Sequence, residues 1–407
     1  MRSIRAAVGI PTFQESDSIE NVVKQVDAGL ARLFDPADCV IVNVDSDSPD
    51  RTSEIFLNTP TLCGKESIVI TEQPRGKGRN VLRFFERCAE LPVAALAIVD
   101  GDLRSITPEW IEALLTPVLQ GEADYVTPLY LRHRFDGSMT NHFAYPMMSG
   151  YFGSGLRQPV GGEFAFSAAL IERILKQPVE EAILGYGIDI FLSMHAVGGG
   201  FKLAQARLGR KLHKPSFPKW NLIQPQAVAG AIATMRLYPI RVAGHDFQSA
   251  PDSIDDWPEY RFYDESQALL AEARARARDL TPVYRSWLGE KPGEKPGEKL
   301  GEDLFSAFEE GGPALSAEAW TDLLAACVAH SVWIDPRATA RSVADHLMPA
   351  LFIRIITSWN ETWKRPIEEF NAEINLQAKL LREKLLARAR EAEVANASAQ
   401  GVNPSSP

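Results

Sequence analysis

The chain has 407 residues, of which 45% are hydrophobic and 24% charged, and its formal net charge at pH 7 is −10. This length exceeds one typical domain, so two domains are expected, and the net negative charge argues against nucleic-acid binding. No apolar stretch is long enough to cross a bilayer, the N-terminus lacks a signal peptide, and the four cysteines include no Cys-x-x-Cys pair. We therefore expect a cytoplasmic protein without membrane attachment, a zinc site or a disulfide framework.

Short apolar runs alternate with helical patterns through the first 220 residues. The runs that predict strands lie at 6–10, 40–44, 67–71, 95–99, 124–130 and 202–208. Helical spacing follows most of them, and Thr107-Pro108-Glu109 is a typical helix start, with a capping hydroxyl and proline at the first position. This alternation predicts an α/β fold in which a mostly parallel sheet has helices on both faces.

Beyond about residue 227 the apolar residues recur only at helical spacing, which predicts a helical second domain. Its last helix is expected to run from about 349 or 357 to 392. A repeat of Gly, Glu, Lys and Pro interrupts this region and is too polar to pack. The predicted divisions are a catalytic domain at 1–226, a helical domain at 227–392 with a flexible insertion at 289–303, and a disordered tail at 393–407. The apolar C-terminal helices could also pair two copies as a homodimer.

Polar residues follow each of the first four predicted strands, whose carboxyl ends meet at one edge of a parallel sheet. After the first strand, Glu15 can accept hydrogen bonds from a ribose or a base, and Asp45 ends the second strand in a position suited to base recognition. Lys77 lies between two glycines after the third strand and can meet base or phosphate oxygens. Asp100 and Asp102 end the fourth and can reach a divalent cation that carries a phosphate, although such a pair also occurs in solvated turns.

His213 lies in a basic loop after the last predicted strand. A single loop histidine is usually only polar surface, but a further ligand is what Asp102 and a diphosphate need to complete a cation's coordination shell. The neighbouring Arg210, Lys211 and Lys214 could neutralise the phosphates.

Taken together, these motifs resemble those of the GT-A glycosyltransferases. The shared order is Pro-x-x-x-Glu ending at Glu15, Asp-Ser at Asp45, Gly-Lys-Gly around Lys77, and Asp-x-Asp ending at Asp102. The later Gln-Pro-Val-Gly-Gly-Glu that ends at Glu163, Gly-Ile-Asp ending at Asp189, and His213 are similar to mannosylglycerate synthases and glucosyl-3-phosphoglycerate synthases. The resemblance covers roughly residues 5 to 220.

The resemblance implies a role for each matching residue. Asp102 and His213 would hold Mg²⁺ or Mn²⁺ with the donor diphosphate. The nucleotide-sugar contacts would be Pro11, Glu15, Asp45, Lys77, Asp100, Gly101 and Lys211. The catalytic residues would be Asp189, Glu163 and Asp100, with Asp189 holding sugar hydroxyls or activating the acceptor hydroxyl. The acceptor-binding residues would be Arg132, Thr140 and Gly162.

The acceptor loop departs from the phosphoglycerate enzymes, which carry Gly-Arg-Val-Thr where this chain has Gly137-Ser138-Met139-Thr140. Ser138 lacks the guanidinium that would clamp a phosphate, although Arg134 could replace it. The resemblance therefore implies a metal-dependent, retaining transfer of glucose or mannose to D-glycerate or a related small hydroxy acid, as in compatible-solute synthesis. The donor would be GDP-mannose, GDP-glucose or UDP-glucose.

Three alternatives stay open at this point. The first is a glucosyl-3-phosphoglycerate synthase with a phosphorylated acceptor. The second is a nucleotidyltransferase, which would normally place a glycine-rich loop directly after the first strand, where this chain reads Thr-Phe-Gln-Glu. The third is a sugar-nucleotide-binding or scaffold protein without transferase activity.

Overall fold

The computed structural model describes residues 4–214, 217–241, 263–290, 300–363 and 365–399. Most of the predicted insertion, at 291–299, and the end of the predicted tail, at 400–407, lie outside the described residues. The chain divides into two compact units. The first comprises residues 1–131 and 158–231, and the second comprises residues 132–157 and 232–407.

A seven-stranded mixed sheet forms the centre of the first unit. Its strands are β1 Ala6–Thr12, β2 Cys39–Asp45, β3 Gly64–Val69, β4 Ala95–Ile98, β5 Tyr125–Leu131, β6 Phe164–Ser167 and β7 Leu203–Arg210. Their order is β3-β2-β1-β4-β6-β5-β7. Strand β6 is antiparallel to β4 and β5, whereas the other neighbouring strands run parallel. This arrangement confirms the predicted mostly parallel α/β sheet.

Helices follow most strands, and a helical region occupies the C-terminal part of the chain. The α-helices of the described residues are α1 Ile19–Leu33, α2 Thr52–Asn58, α3 Lys77–Ala89, α4 Pro108–Leu119, α5 Tyr145–Phe152, α6 Ala168–Leu175, α7 Glu181–Leu184, α8 Ile188–Gly198, α9 Trp220–Met235, α10 Tyr263–Asp279, α11 Thr281–Leu288, α12 Leu300–Ser306, α13 Ala317–Val328, α14 Ala340–Thr362 and α15 Ile367–Ala399. Short 3-10 helices lie at Pro36–Asp38 and Phe217–Lys219, and π-helices at Thr140–Ala144 and Ala329–Ile334. Within the described residues, none of these helices has the length and apolarity that a membrane span requires.

Strand β1 contributes residues to both faces of the sheet, because successive side chains of a strand point to opposite faces. Val8 and Ile10 join the buried cluster that α1 and α4 form on one face. On the other face, a Cβ atom at Gly9 would lie 2.6 Å from the Phe84 ring of α3, so that helix packs directly against the strand. Helices therefore cover both faces of the sheet, as predicted.

The order of strands reverses beside β1, which pairs with β2 on one side and β4 on the other. In open α/β sheets, such a reversal leaves a crevice at the carboxyl ends of the strands, where ligands bind. The segments that follow β1 and β4 carry Glu15, Asp100 and Asp102. The fold therefore places the predicted site residues at the expected edge.

The second unit contains the segment 132–157, which the predicted boundary at 226 had placed in the first domain. Its apolar helix α5 is wholly buried, and a Cβ atom at Gly150 would lie 3.1 Å from Leu381 on α15. Trp320 donates an indole hydrogen bond of 2.9 Å to the His142 carbonyl. These contacts tie the segment to the helical region.

Several predicted elements differ from the structure. Strand β1 continues past Pro11 to Thr12, and the glycine turn before Glu163 leads into a strand that was not predicted. The single last helix is wrong, because α14 ends at Thr362 and α15 begins at Ile367, directly after Pro366, which disfavours helical backbone at the residue before it. The predicted disordered tail is helical as far as Ala399.

Candidate active site

Asp100 lies just after β4 at the centre of a cluster of paired charges. Its two carboxylate oxygens contact two lysines, with Oδ1 at 2.7 Å from Lys77 Nζ and Oδ2 at 3.3 Å from Lys211 Nζ. Burial alone would raise the pKa of Asp100, but Lys77 and Lys211 outweigh it and hold the pKa well below its usual value. Asp100 is therefore a carboxylate at neutral pH, as a contact of ribose or sugar hydroxyls requires.

Lys77 bridges two carboxylates that come from different parts of the chain. Its Nζ lies 2.7 Å from Asp100 Oδ1 and 3.1 Å from Asp189 Oδ1, in the first turn of α8. Burial would lower the pKa of Lys77, yet these two carboxylates raise it above its usual value. The structure thus brings together three residues that the sequence predicted separately.

Glu163 has no solvent exposure and contacts three neighbours. It accepts hydrogen bonds from the Tyr130 hydroxyl at 2.5 Å, from Lys211 Nζ at 2.8 Å and from the Asp100 amide at 3.3 Å. Burial raises the pKa of Glu163 to about 7, against the lowering effect of Lys211. A fully enclosed carboxylate of this kind holds Lys211 and Asp100 in position. The predicted catalytic role of Glu163 stays a prediction.

The backbone at Gly162, directly before Glu163, lies close to the side chains of Asp100 and Lys211. Gly162 has a φ of +92°, and a Cβ atom there would overlap Asp100 Oδ2 and lie 3.0 Å from Lys211 Nζ. Lys211 Nζ also donates to the Gly161 carbonyl at 2.6 Å. The predicted role of Gly162 in binding an acceptor stays a prediction, while its close approach to Asp100 explains why glycine is needed there.

The Lys211 side chain is only 4% exposed, and oxygen atoms of three residues, Asp100, Gly161 and Glu163, already contact its ammonium group. The predicted contact between Lys211 and the donor therefore stays a prediction.

Gln158 begins the sequence motif that ends at Glu163, and it fixes the end of β5. Its amide accepts from the Tyr130 amide at 3.2 Å and donates to the Tyr130 carbonyl at 2.8 Å.

Asp102 lies beside the loop that carries His213. Its Oδ2 accepts the Lys214 amide at 3.3 Å, and the Arg104 amide donates to the Leu212 carbonyl at 2.8 Å. Within the described residues, no group of three or more His, Cys, Asp or Glu side chains is placed to hold a metal ion. Asp102 would supply a carboxylate oxygen, which suits Mn²⁺ or Mg²⁺, and His213 would supply an imidazole nitrogen, while ligand oxygens would complete the coordination shell.

Glu15, which follows β1, forms an ion pair with Lys214 of the loop that carries His213. Lys214 Nζ lies 2.6 Å from Glu15 Oε2 and 2.8 Å from Asp17 Oδ1, so this lysine is already paired with carboxylates. Burial raises the pKa of Glu15 to about 7, and Asp102 adds to this effect while Lys214 opposes it. Gly101 packs closely here, since a Cβ atom on it would lie 2.7 Å from the Thr12 methyl group.

Asp45 is 1% exposed, and its carboxylate accepts three hydrogen bonds from the protein itself. The donors are the Thr12 hydroxyl at 2.6 Å and the amide and hydroxyl of Ser48, both at 2.7 Å. Asp45 therefore shapes the loops after β1 and β2, and its direct contact with a nucleotide stays a prediction. Pro11 lies one residue before Thr12 within β1 and is partly exposed.

The predicted acceptor residues Arg132 and Thr140 lie in the second unit. Thr140 begins a π-helix and is 3% exposed. Their role in binding an acceptor stays a prediction.

Sequence reasoning missed two side chains of the first unit. Tyr130 is the hydroxyl donor to Glu163, and its position near the end of a predicted strand was the available signal. Phe13 is 38% exposed directly after β1, with the Arg75 guanidinium 4.8 Å from its ring centroid. An exposed aromatic residue at a ligand-binding sheet edge was the signal in this second case.

The profile of one family, described as glycosyl transferase family 2, matches residues 7–175. The match covers less than half of the chain. The matched residues include β2 to β6, β1 except for Ala6, and the charged groups of Lys77, Asp100 and Glu163. The protein is thus a glycosyltransferase with a GT-A sheet and a helical C-terminal region.

Solved structures similar to this glycosyltransferase include several of glucosyl-3-phosphoglycerate synthase from Mycobacterium tuberculosis. Its complex with Mn²⁺, UDP and phosphoglyceric acid is 21% identical, with a TM-score of 0.48, and the match covers 57% of this chain and 78% of that one. Its complex with Mg²⁺ and UDP is 22% identical, with a TM-score of 0.47 and coverages of 57% and 79%. Its complex with Mn²⁺, UDP-glucose and phosphoglyceric acid gives the same identity, TM-score and coverages as the Mg²⁺ complex. No curated protein sequence matches the chain.

Proposed function

We propose that this glycosyltransferase is metal-dependent and retaining, and that it moves glucose or mannose from a nucleoside diphosphate to D-glycerate or a related small hydroxy acid. Such a product would be a compatible solute. The observation that carries the proposal is the charge cluster of Lys77, Asp100 and Asp189 at the sheet edge, with Asp102 beside the loop of His213. This cluster lies at the strand-order reversal, where α/β sheets bind nucleotides.

In this proposal each charged group acts on a different part of the donor. Asp102 and His213 would hold Mg²⁺ or Mn²⁺, whose chemistry is to neutralise the departing diphosphate. Asp100 and Asp189 are both paired with Lys77 and, as carboxylates, can accept hydrogen bonds from sugar or ribose hydroxyls. Glu15 would accept a ribose or base donor near the end of β1.

The nucleobase would stack on Phe13. Its ring is exposed directly after β1, with Arg75 close to the ring. UDP and GDP donors are both compatible with such a platform, because every base has a flat apolar face. The candidates are GDP-mannose, GDP-glucose and UDP-glucose.

An unphosphorylated acceptor is favoured by the environment of Ser138 and Arg134 in the second unit. Ser138 is 1% exposed, donates its hydroxyl hydrogen to the Phe135 carbonyl and accepts the Trp359 indole hydrogen. Arg134 is 2% exposed and donates to the carbonyls of Thr362 and Arg365. Both side chains therefore serve the packing of this unit, which supports D-glycerate over a phosphorylated acceptor.

A donor and acceptor screen tests the proposal. The protein is incubated with Mg²⁺ or Mn²⁺, D-glycerate or 3-phosphoglycerate, and each of the three donors, and nucleoside diphosphate release is measured together with the anomeric configuration of the product. We expect release with D-glycerate and an α-glycoside as product. Asp102→Ala should lower the rate at least 100-fold, because the diphosphate loses a metal ligand, whereas the matched surface variant Asp345→Ala should retain the wild-type rate.

Three outcomes would contradict parts of this proposal. No release with any donor would overturn the reaction, and a rate unaffected by Asp102→Ala would overturn the metal site. A clear preference for 3-phosphoglycerate would assign the phosphorylated acceptor instead. Pyrophosphate release from a nucleoside triphosphate and a sugar phosphate would instead identify a nucleotidyltransferase.

A further inference from the structure

Lys77 begins α3 between two glycines that touch another part of the first unit. A Cβ atom at Gly76 would overlap the Leu184 carbonyl, and one at Gly78 would overlap the Ile183 carbonyl. The Gly78 amide also donates a hydrogen bond of 2.9 Å to the Gly185 carbonyl. The backbone that carries Lys77 is therefore in direct contact with the end of α7.

The segment after α7 leads directly to Asp189. The Gly187 amide donates to the Ala182 carbonyl at 3.0 Å, and the Gly187 carbonyl accepts the Phe191 amide at 3.1 Å, which places Asp189 in the first turn of α8. One short segment thus touches the backbone of Lys77 on one side and carries the partner of Lys77, Asp189, on the other.

Helix α9 holds this segment through Gln226. The Gln226 Oε1 atom accepts the Tyr186 amide hydrogen at 2.8 Å. A Cβ atom at Gly185 would overlap Gln226 Oε1, and one at Gly187 would lie 2.7 Å from the Gln226 carbonyl. One turn further along α9, a Cβ atom at Gly230 would lie 2.9 Å from the Gly187 carbonyl.

These contacts form a continuous chain from α9 to the charge cluster. We infer that Gln226 is a positioning residue, which sets the distance between Lys77 and Asp189 by holding the segment 185–187 against α9. Backbone contacts at glycines transmit small displacements directly, because no flexible side chain lies between the segments to absorb them. A displaced segment would separate the Lys77 ammonium from the Asp189 carboxylate and slow transfer through loss of orientation.

Two substitutions at Gln226 distinguish the effect of losing the hydrogen bond from the effect of changing the volume of the side chain. Gln226→Met keeps the length but removes the acceptor for the Tyr186 amide, whereas Gln226→Glu retains an acceptor oxygen. Gln224→Met is the control, since Gln224 is another glutamine of α9, two residues from Gln226 in the sequence and 1% exposed. All three variants are made in the full chain.

Hydrogen exchange of backbone amides tests the positioning role without reference to activity. We expect Gln226→Met to raise exchange at least fivefold in peptides that cover 76–80 and 183–190, with Gln226→Glu and Gln224→Met close to wild type. Unchanged exchange in Gln226→Met, or equal increases in Gln224→Met, would overturn the inference.

Steady-state kinetics test the consequence for catalysis and rest on the proposed function. Gln226→Met should lower kcat at least tenfold with less than a twofold change in donor KM, and Gln226→Glu should stay within threefold of the wild-type kcat. In an Asp189→Asn background, Gln226→Met should have little further effect on kcat, whereas a general structural defect would add its full effect. A wild-type protein without transferase activity would refute the proposed function, while the exchange measurement would still decide the role of Gln226.

Discussion

Gly162 and its neighbour Glu163 contact two different groups of Asp100, the carboxylate and the backbone amide. The Gly162 backbone leaves room for Asp100 Oδ2, and Glu163 Oε1 accepts the Asp100 amide hydrogen. Gly162→Ala would put a methyl group onto the Asp100 carboxylate at a φ of +92°, a backbone conformation that alanine rarely adopts. We expect kcat/KM for glycosyl transfer to fall at least 100-fold, measured by release of the nucleoside diphosphate.

Gly121→Ala is the matched control for this prediction. Gly121 also has a positive φ, of +69°, but no atom lies within 4 Å of the position of its Cβ. The backbone strain of about 1 kcal/mol should therefore appear only as reduced stability, with kcat/KM unchanged. Equal losses of activity in the two variants would show that strain alone, and not the contact with Asp100, explains the effect.

The sequence identifies the charged residues of this site but not how they pair. Lys77 and Asp100 could be found because they follow strands at the ligand-binding edge, a position that the alternation of strands and helices establishes. Pairing depends on which atoms meet across long separations in the chain, so the link from Tyr130 through Glu163 to Lys211 had no local signature. The position of Asp45 after β2 predicts a ligand contact, but it could not predict the hydrogen bonds that its carboxylate accepts from Thr12 and Ser48.

At the level of elements, Asp27 joins helix α1 to the start of the edge strand β3. Its carboxylate accepts the Leu62 amide at 2.9 Å and the Cys63 amide at 2.8 Å, and the residue is 8% exposed. Asp27→Ala should lower the free energy of unfolding by about 2–3 kcal/mol, because two amide groups lose a charged acceptor. Urea denaturation followed by circular dichroism measures this change.

Asp27→Asn serves as the graded control, because it keeps one acceptor oxygen and loses the charge. Its destabilisation should be about half that of Asp27→Ala. If the two substitutions have the same effect, the single acceptor oxygen of asparagine contributes nothing, and the stabilisation comes from the charge of the carboxylate, because asparagine keeps the volume of the side chain.

Element boundaries were predicted best where local chemistry alone sets them. Proline at the first position and a preceding threonine marked the start of α4 correctly at Pro108. Strand β6 escaped prediction because its four residues form a strand only by pairing with β4 and β5, which are distant in the sequence. The break before α15 shows the cost of following apolar spacing across Pro366, since the proline restricts the backbone regardless of the pattern.

Across the whole molecule, buried carboxyls and buried histidines give stability opposite dependences on pH. Burial raises the pKa of both Glu15 and Glu163 to about 7, so the folded chain binds more protons there between about pH 4.5 and 7, and stability falls as pH rises. Burial lowers the pKa of His195 to about 3 and that of His142 well below its usual value, so the unfolded chain binds more protons below about pH 6.5. These contributions partly cancel, and the pH profile of the wild type alone cannot separate them.

Comparing the wild type with His195→Gln isolates one of these contributions. Glutamine does not titrate, so the wild type should lose about 2 kcal/mol of unfolding free energy relative to the variant between pH 7.5 and pH 5, because unfolded His195 takes up a proton that the folded residue excludes. Urea denaturation of both proteins at pH 7.5, 6.5, 5.8 and 5.0 measures the difference, which should be constant above about pH 7 and change steadily below it. A difference that does not vary with pH would mean that folded His195 accepts the proton as readily as the unfolded chain, and that its burial between α8 and its neighbours does not exclude charge.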